Sequence, residues 1–283
     1  MYRRNAEKRR FLMNEKFEIT RMKRQPFFEM AKAHHHDAYE IFYLISGNNR
    51  FFIEDTIYTI NDGDFVIIPK GVLHKSSYIS NAVHERFDIY IPDSMMNKIF
   101  DRYGKDAIDD CFINPYIPVP MLQREYIEDL LDKMEHEYSG GDEFSKHMIN
   151  GYINELMVFF LRHRKESKSI AIERINDHDG TSQKAAKYIF CNYNKNITLE
   201  EISRYVNLSS SHFSKKFKDD TGFGFKEYLL NVRIKYASEY LVNTKKPISE
   251  IAKACGFTDS NYFGDVFRRI KGISPSGYRK TKR

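Results

Sequence analysis

The sequence has no tryptophan, only three cysteines, and no apolar run approaching the roughly 18–20 residues that cross a bilayer. The missing run argues against a membrane-spanning helix. Cys111, Cys191 and Cys255 are odd in number, far apart and in no paired spacing, which excludes a disulfide framework or a zinc knuckle. They are expected to be buried thiols of a reducing compartment. The opening stretch MYRRNAEKRRFLMNEKF carries Arg3, Arg4, Lys8, Arg9 and Arg10 but lacks the apolar core of a secretory signal. Residues 1–20 therefore read as a basic tail, and the chain as cytoplasmic. What is present is a folded protein's composition, 41% hydrophobic and 14% aromatic. At 283 residues, two domains with separate cores are expected.

Charge divides the chain. From Gln183 to Arg283 there are 20 Lys and Arg against 9 Asp and Glu, a surplus of +11, whereas Met1 to Ser182 carry 25 against 30, a deficit of −5. A basic domain joined to an acidic one is the electrostatic pattern of nucleic-acid binding by one domain alone. A merely solvated Lys-rich surface gives the same charge, so a second signal is needed.

That signal is an internal repeat. Glu201 and Ile202 recur as Glu250 and Ile251, and Phe213, Phe217 and Gly222 recur as Phe263, Phe267 and Gly272. In the first copy, Thr198 followed three residues later by Glu201 predicts a capping box, with Leu199, Ile202 and Val206 on one apolar face. A short turn at Asn207 to Ser209 precedes a second helix that carries Phe213 and Phe217 inward and leaves Ser211, Ser214, Lys215 and Lys218 outward. The second copy places Ile248, Ile251 and Cys255 inward, Gly256 at the turn, and Phe263 and Phe267 on the helix that follows. Between them, FKEYLLNVRIKYASEYLVNT has Tyr228, Leu229, Val232, Tyr236 and Leu241 at helical spacing without Gly or Pro. Two short helices around a tight turn fit a major groove, and two such units on one linker helix are far more specific than one.

Pro247 to Lys280, with SEIAKACGF, NYFGDVFRRIKGISP and GYRK in register, resemble the signature of the AraC family of bacterial transcription regulators, and the likeness covers about the last hundred residues. The resemblance implies a domain over 183–283 whose two recognition helices enter successive major grooves, about 34 Å apart. Carried over by position, the base readers would be Ser211, Ser214 and Lys215 in the first unit and Asn261, Tyr262, Gly264 and Asp265 in the second. Lysine donates to guanine and asparagine pairs with adenine. Asp265 departs from the family's usual basic or neutral residue; it either accepts from a cytosine amino group or has a solvent-facing or intramolecular role, such as pairing with Arg268 or Arg269. Lys216, Lys218, Arg268, Arg269 and Lys271 are the phosphate-contact candidates. The aromatics Phe213, Phe217, Phe257, Phe263 and Phe267 are read as core.

The N-terminal half reads as short strands between turn signals, NDGD at 61–64 and PKG at 69–71. HxHxxxExxxxxxG from His34 to Gly47 and GxxxxxPxGxxH from Gly63 to His74 resemble both cupin motifs. That likeness implies a small barrel over 21–120. His34, His36 and Glu40 share strand parity, and with His74 they make a three-histidine, one-carboxylate set suited to iron, manganese or nickel. The same four residues serve equally as an effector-binding set, and part of the HHH run has a plainer use as exposed or structural rings. Phe42, Phe51, Phe65 and Phe87 are candidate stacking walls.

Two helices are expected at about Met121 to Tyr138 and Phe144 to His163, forming a pair over 121–163 that either packs within the chain or joins two subunits. Leu122, Tyr126, Leu130 and Met134 should line the first; Tyr152, Leu156, Phe159 and Phe160 the second. Residues 164–182 read as a polar linker. The fold class expected is α+β: a cupin-like β-barrel with flanking helices, then an all-α domain with two helix-turn-helix units. The expected function is regulation of transcription rather than catalysis. Its partners would be double-stranded DNA, RNA polymerase, a small-molecule effector that the resemblance suggests is a sugar, and a second copy in a homodimer. The rivals are a metal-dependent cupin oxygenase or isomerase with a DNA-targeting tail, and a constitutive DNA binder whose barrel only dimerises.

Overall fold

A computed structural model describes residues 16–25, 38–78, 83–176 and 180–281, and the chain divides into two compact units between His178 and Asp179. In the first unit the strands are β1 (Glu18–Arg24), β2 (Tyr39–Ser46), β3 (Asn49–Ile53), β4 (Thr56–Ile60), β5 (Asp64–Ile68), β6 (His74–Tyr78) and β7 (His84–Ile91). Helices α1 (Asp93–Tyr103) and α2 (Lys105–Ile113) lead to β8 (Tyr116–Pro118). The anticipated barrel takes the form of two antiparallel sheets, β1-β7-β2-β5-β8 and β4-β3-β6. The NDGD turn opens β5 as the sequence suggested: Gly63 adopts a φ of 78°, and the Asn61 amide donates to Asp64 Oδ2 at 2.8 Å.

Strand parity separates two cores. Ile41, Tyr43, Phe65, Ile67, Phe87 and Ile89 share one face of the larger sheet and pack on helices, whereas Phe42, Leu44, Val66 and Ile68 meet Phe51, Ile53 and Tyr58 of the smaller sheet. Both faces of β2 and β5 are therefore buried, which is why they read as unbroken apolar runs. This also corrects the list of stacking walls: Phe42 and Phe51 meet edge to face at 4.7 Å between the sheets, but Phe65 and Phe87 point to the helices. A residue of opposite parity cannot line the same cavity.

The helix pair follows as α3 (Arg124–Gly140) and α4 (Ser145–Asn176). The stripe predicted for α3 shifts: Leu122 is 98% and Tyr126 50% exposed, and the buried set is Ile127, Leu130, Leu131 and Met134. Leu122 lies in a 3-10 turn ahead of the helix, where the 3.6-residue period does not yet apply. Helix α4 continues to Asn176, through most of the segment read as a linker. Arg164 to Asn176 are mostly polar but contain no Gly or Pro, and polarity alone does not break a helix. Of the three cysteines, Cys111 and Cys255 are buried as expected, but Cys191 is exposed.

The second unit is all helical: α5 (Thr181–Asn192), α6 (Leu199–Tyr205), α7 (Ser210–Thr221), α8 (Phe225–Asn243), α9 (Ile248–Ala254), α10 (Ser260–Lys271) and α11 (Pro275–Thr281). The repeat is structural. Asn207 and Gly256, equivalent positions in the two turns, both take a left-handed φ, 58° and 82°. Phe217 packs on Tyr228 at 5.6 Å, and Phe267 on the equivalent Tyr278 at 5.5 Å. Helix α8 serves both units by burying Tyr228, Leu229 and Val232 and, further along, Ile234, Ala237 and Leu241.

Candidate DNA interface and ligand pocket

Helices α7 and α10 start on matching caps. Ser209 Oγ accepts from the His212 amide at 3.3 Å, and Asp259 Oδ1 from the Tyr262 amide at 2.7 Å. The predicted cap of α6 also forms, with Thr198 Oγ1 accepting from the Glu201 amide at 3.1 Å. The Glu201 carboxylate accepts instead from the Tyr188 hydroxyl at 2.7 Å, so only half of the capping box is made.

With Phe213, Phe217, Phe263 and Phe267 wholly buried, the opposite faces of α7 and α10 are fixed. Ser211, Ser214 and Lys215 are exposed on α7; Asn261, Tyr262 and Asp265 are exposed on α10. Gly264 is half-buried, and a Cβ added there would meet nothing within 4 Å, so open space lies beside it. Lys218, Arg268 and Arg269 are exposed and Lys271 partly so. Lys216 differs: it is half-buried and its ammonium lies 3.3 Å from Asp220 Oδ2. Among the described residues no ion pair joins Asp265 to Arg268 or Arg269, which leaves its carboxylate facing solvent. The residue that sequence reasoning missed is His212, exposed on α7 at the repeat equivalent of Tyr262. The 50-residue offset that matches Phe213 to Phe263 would have found it.

In the first unit, Glu40 and His74 come together across the two sheets, with Glu40 Oε2 to His74 Nε2 at 3.1 Å. His74 Nδ1 lies 2.9 Å from the Val72 carbonyl, a contact that fixes the ring as an Nδ1–H donor and presents Nε2 to Glu40. His34 and His36 lie outside the described residues. Among the described residues no three metal-ligating side chains converge; of the four proposed ligands these residues include only Glu40 and His74.

Strand register shows what else faces this interior. Glu40 lies opposite Tyr90, Phe42 opposite Asp88 and Leu44 opposite Arg86. Arg86 Nη2 pairs with Asp88 Oδ2 at 2.9 Å, and its guanidinium lies 5.5 Å from the Phe42 ring centroid. Burial pushes the Asp88 carboxyl up to about 6, opposed by Arg86 and assisted by Glu40. Asn49, on β3, is fully buried with neither side-chain amide atom hydrogen-bonded. The residues buried between the sheets thus include an apolar set, from Leu44 and Phe51 to Ile68 and Tyr116, and a polar set of Glu40, His74, Arg86 and Asp88. Buried polar side chains beside apolar rings supply the donors, acceptors and stacking surface that a small polar ligand needs. Arg86 and Asp88 escaped the sequence reading because RFDI within β7 alternates polar with apolar, which reads as a strand with one wet face.

Similarity to known proteins agrees with this division. Residues 21–156 match the model of an AraC-like ligand-binding domain and residues 202–281 that of a helix-turn-helix domain. The two together define a transcription regulator that couples a ligand-binding domain to DNA binding, and not an enzyme. The chain belongs to the AraC family. It is 26% identical over 273 residues to the HTH-type transcriptional activator RhaR of Salmonella arizonae, covering 96% of this chain and 95% of that one. Among solved structures, the C-terminal domain of the response regulator AraT from Geobacillus stearothermophilus is 32% identical over 36% of this chain and 84% of its own, with a TM-score of 0.35. An apo ToxT variant from Vibrio cholerae is 17% identical over 95% of this chain and 100% of its own, with a TM-score of 0.42. Among the described residues no helix is long and apolar enough to cross a membrane.

Proposed function

We propose that this regulator is a cytoplasmic, homodimeric switch whose effector is a small polyhydroxylated molecule of the sugar class, bound at the polar set between the sheets. The observation that carries this reading is the buried set of Glu40, His74, Arg86 and Asp88, in which Glu40 meets His74 at 3.1 Å and Arg86 meets Asp88 at 2.9 Å. Two carboxylates, a guanidinium and an imidazole together suit a ligand rich in hydroxyls, each of which both donates and accepts. Similarity to RhaR supports a sugar. Lys215 and Asn261 are the principal base readers, with Ser211, His212, Ser214, Tyr262, Gly264 and Asp265 beside them. Lys218, Arg268, Arg269 and Lys271 hold phosphates, and Lys216 does so only by giving up Asp220.

Regulation then follows from linkage: an effector shifts the protein between two DNA-binding arrangements only by its differential affinity for them, and RNA polymerase is recruited in one. The test is a panel of monosaccharides and glycosides read by thermal shift and by affinity for selected genomic DNA. A true effector at a hundredfold its Kd should stabilise the protein by about 2.7 kcal/mol and change the affinity or geometry on DNA. Asp88→Asn and Glu40→Gln should abolish both effects while leaving effector-free DNA binding intact. An effector that bound tightly yet altered neither DNA engagement nor polymerase recruitment would sink the switch.

A further inference from the structure

Helix α8 is not the only connection between the two helix-turn-helix units. Arg233, midway along it, extends its guanidinium to the loop between α5 and α6: Nε donates to the Tyr193 carbonyl and Nη2 to the Lys195 carbonyl, each at 2.8 Å. The same guanidinium lies 5.6 Å from the ring centroid of Phe257, in the turn of the second unit. That turn also approaches the first unit directly. A Cβ placed on Gly256 would lie 2.9 Å from the Asn194 carbonyl oxygen and 3.0 Å from Arg233 Nη2. Beside it Tyr193 stacks on Tyr236 of α8, with centroids 4.0 Å apart and planes within 3°.

We propose that Arg233 is a positioning residue for DNA recognition: it clasps the first unit's α5–α6 loop to the second unit's turn and so sets the spacing and rotational phase of the two recognition helices. Its Nε and Nη2 are engaged with main-chain carbonyls, so its effect on DNA passes through geometry. A single helix that supports two units can flex or twist, and a second attachment removes that freedom. Only arginine's planar fork can hold two carbonyls while stacking on a ring; lysine keeps the charge without the fork. The proposal rests on both units engaging DNA together, and the experiment separates the two ideas.

The full-length protein is first used to select its preferred two-groove site from a random pool. Binding is then measured to that site and to versions with one base pair added or removed between the half-elements. Wild type should discriminate against the altered spacings, and Arg233→Lys should flatten that profile about tenfold, the equivalent of one charge-assisted hydrogen bond, with the salt slope unchanged. Phe257→Leu, which spares both carbonyls, should flatten it in the same direction by less, and thermal melts confirm that each variant is folded. No spacing preference in wild type would overturn two-groove engagement itself. A wild-type profile that survives intact in folded Arg233→Lys, or a uniform loss on every DNA, would overturn the clasp alone.

Discussion

The two helix-turn-helix units share a scaffold and differ in what they display. Each buries a pair of phenylalanines at i and i+4, Phe213 with Phe217 and Phe263 with Phe267, and each recognition helix closes on a glycine in the left-handed region, Gly222 and Gly272. The outward faces share almost nothing: serines and Lys215 on α7, and Asn261, Tyr262, Gly264 and Asp265 on α10. The scaffold is constrained by packing, in which one methylene is felt; the face is constrained only by what it touches. Duplication thus supplied one frame twice and left two reading heads free to diverge.

The largest effect should come from breaking the shared part. Phe213→Ala and Phe263→Ala should each destabilise the protein by about 3–5 kcal/mol, measured by urea unfolding, and should agree closely if the two frames are equivalent. A loss below about 1 kcal/mol at either site would show that one frame tolerates the cavity. Smaller and more selective is Lys215→Ala, expected to cost about 1–3 kcal/mol on the preferred site and to relax preference at one base position. Equal weakening on all sequences would remove Lys215 from the readers. Arg268→Ala comes next, a uniform weakening with a salt dependence shallower by about one phosphate contact. A base-specific change there would make Arg268 a reader.

This contrast also explains what was legible in the sequence. The frame repeats, and repetition of Phe, Gly and Tyr at a constant offset is a signal that periodicity alone cannot give, so the second unit was readable almost to the residue. His212 was overlooked although that offset names it, because its neighbours in the motif were small serines. In the sheet unit the motifs named Glu40 and His74, which lie 3.1 Å apart, since glycine, proline and histidine spacings record turn geometry. They could not reveal Arg86 and Asp88, because alternation in β7 looks the same whether the polar side faces water or a buried polar cluster. Nor did they reveal that α4 runs on to Asn176, because a mostly charged and polar helical segment resembles a linker in composition.

Asp265 offers the smallest effect and the finest test of how far the two heads have diverged. It stands at the equivalent of Lys215, so the paired positions of the two units carry opposite charges. With no partner in Arg268 or Arg269 among the described residues, its carboxylate either reads DNA or only repels it. If it accepts from a cytosine amino group, Asp265→Asn should lose preference at one base pair of the second half-element, by about 1 kcal/mol. If it only repels phosphate, the same variant should bind every sequence slightly more tightly, and the gain should vanish as salt screens it. The first outcome would make the acidic residue a specificity element acquired by the second unit; the second would make it a brake that lowers non-specific binding on the more strongly basic of the two recognition helices.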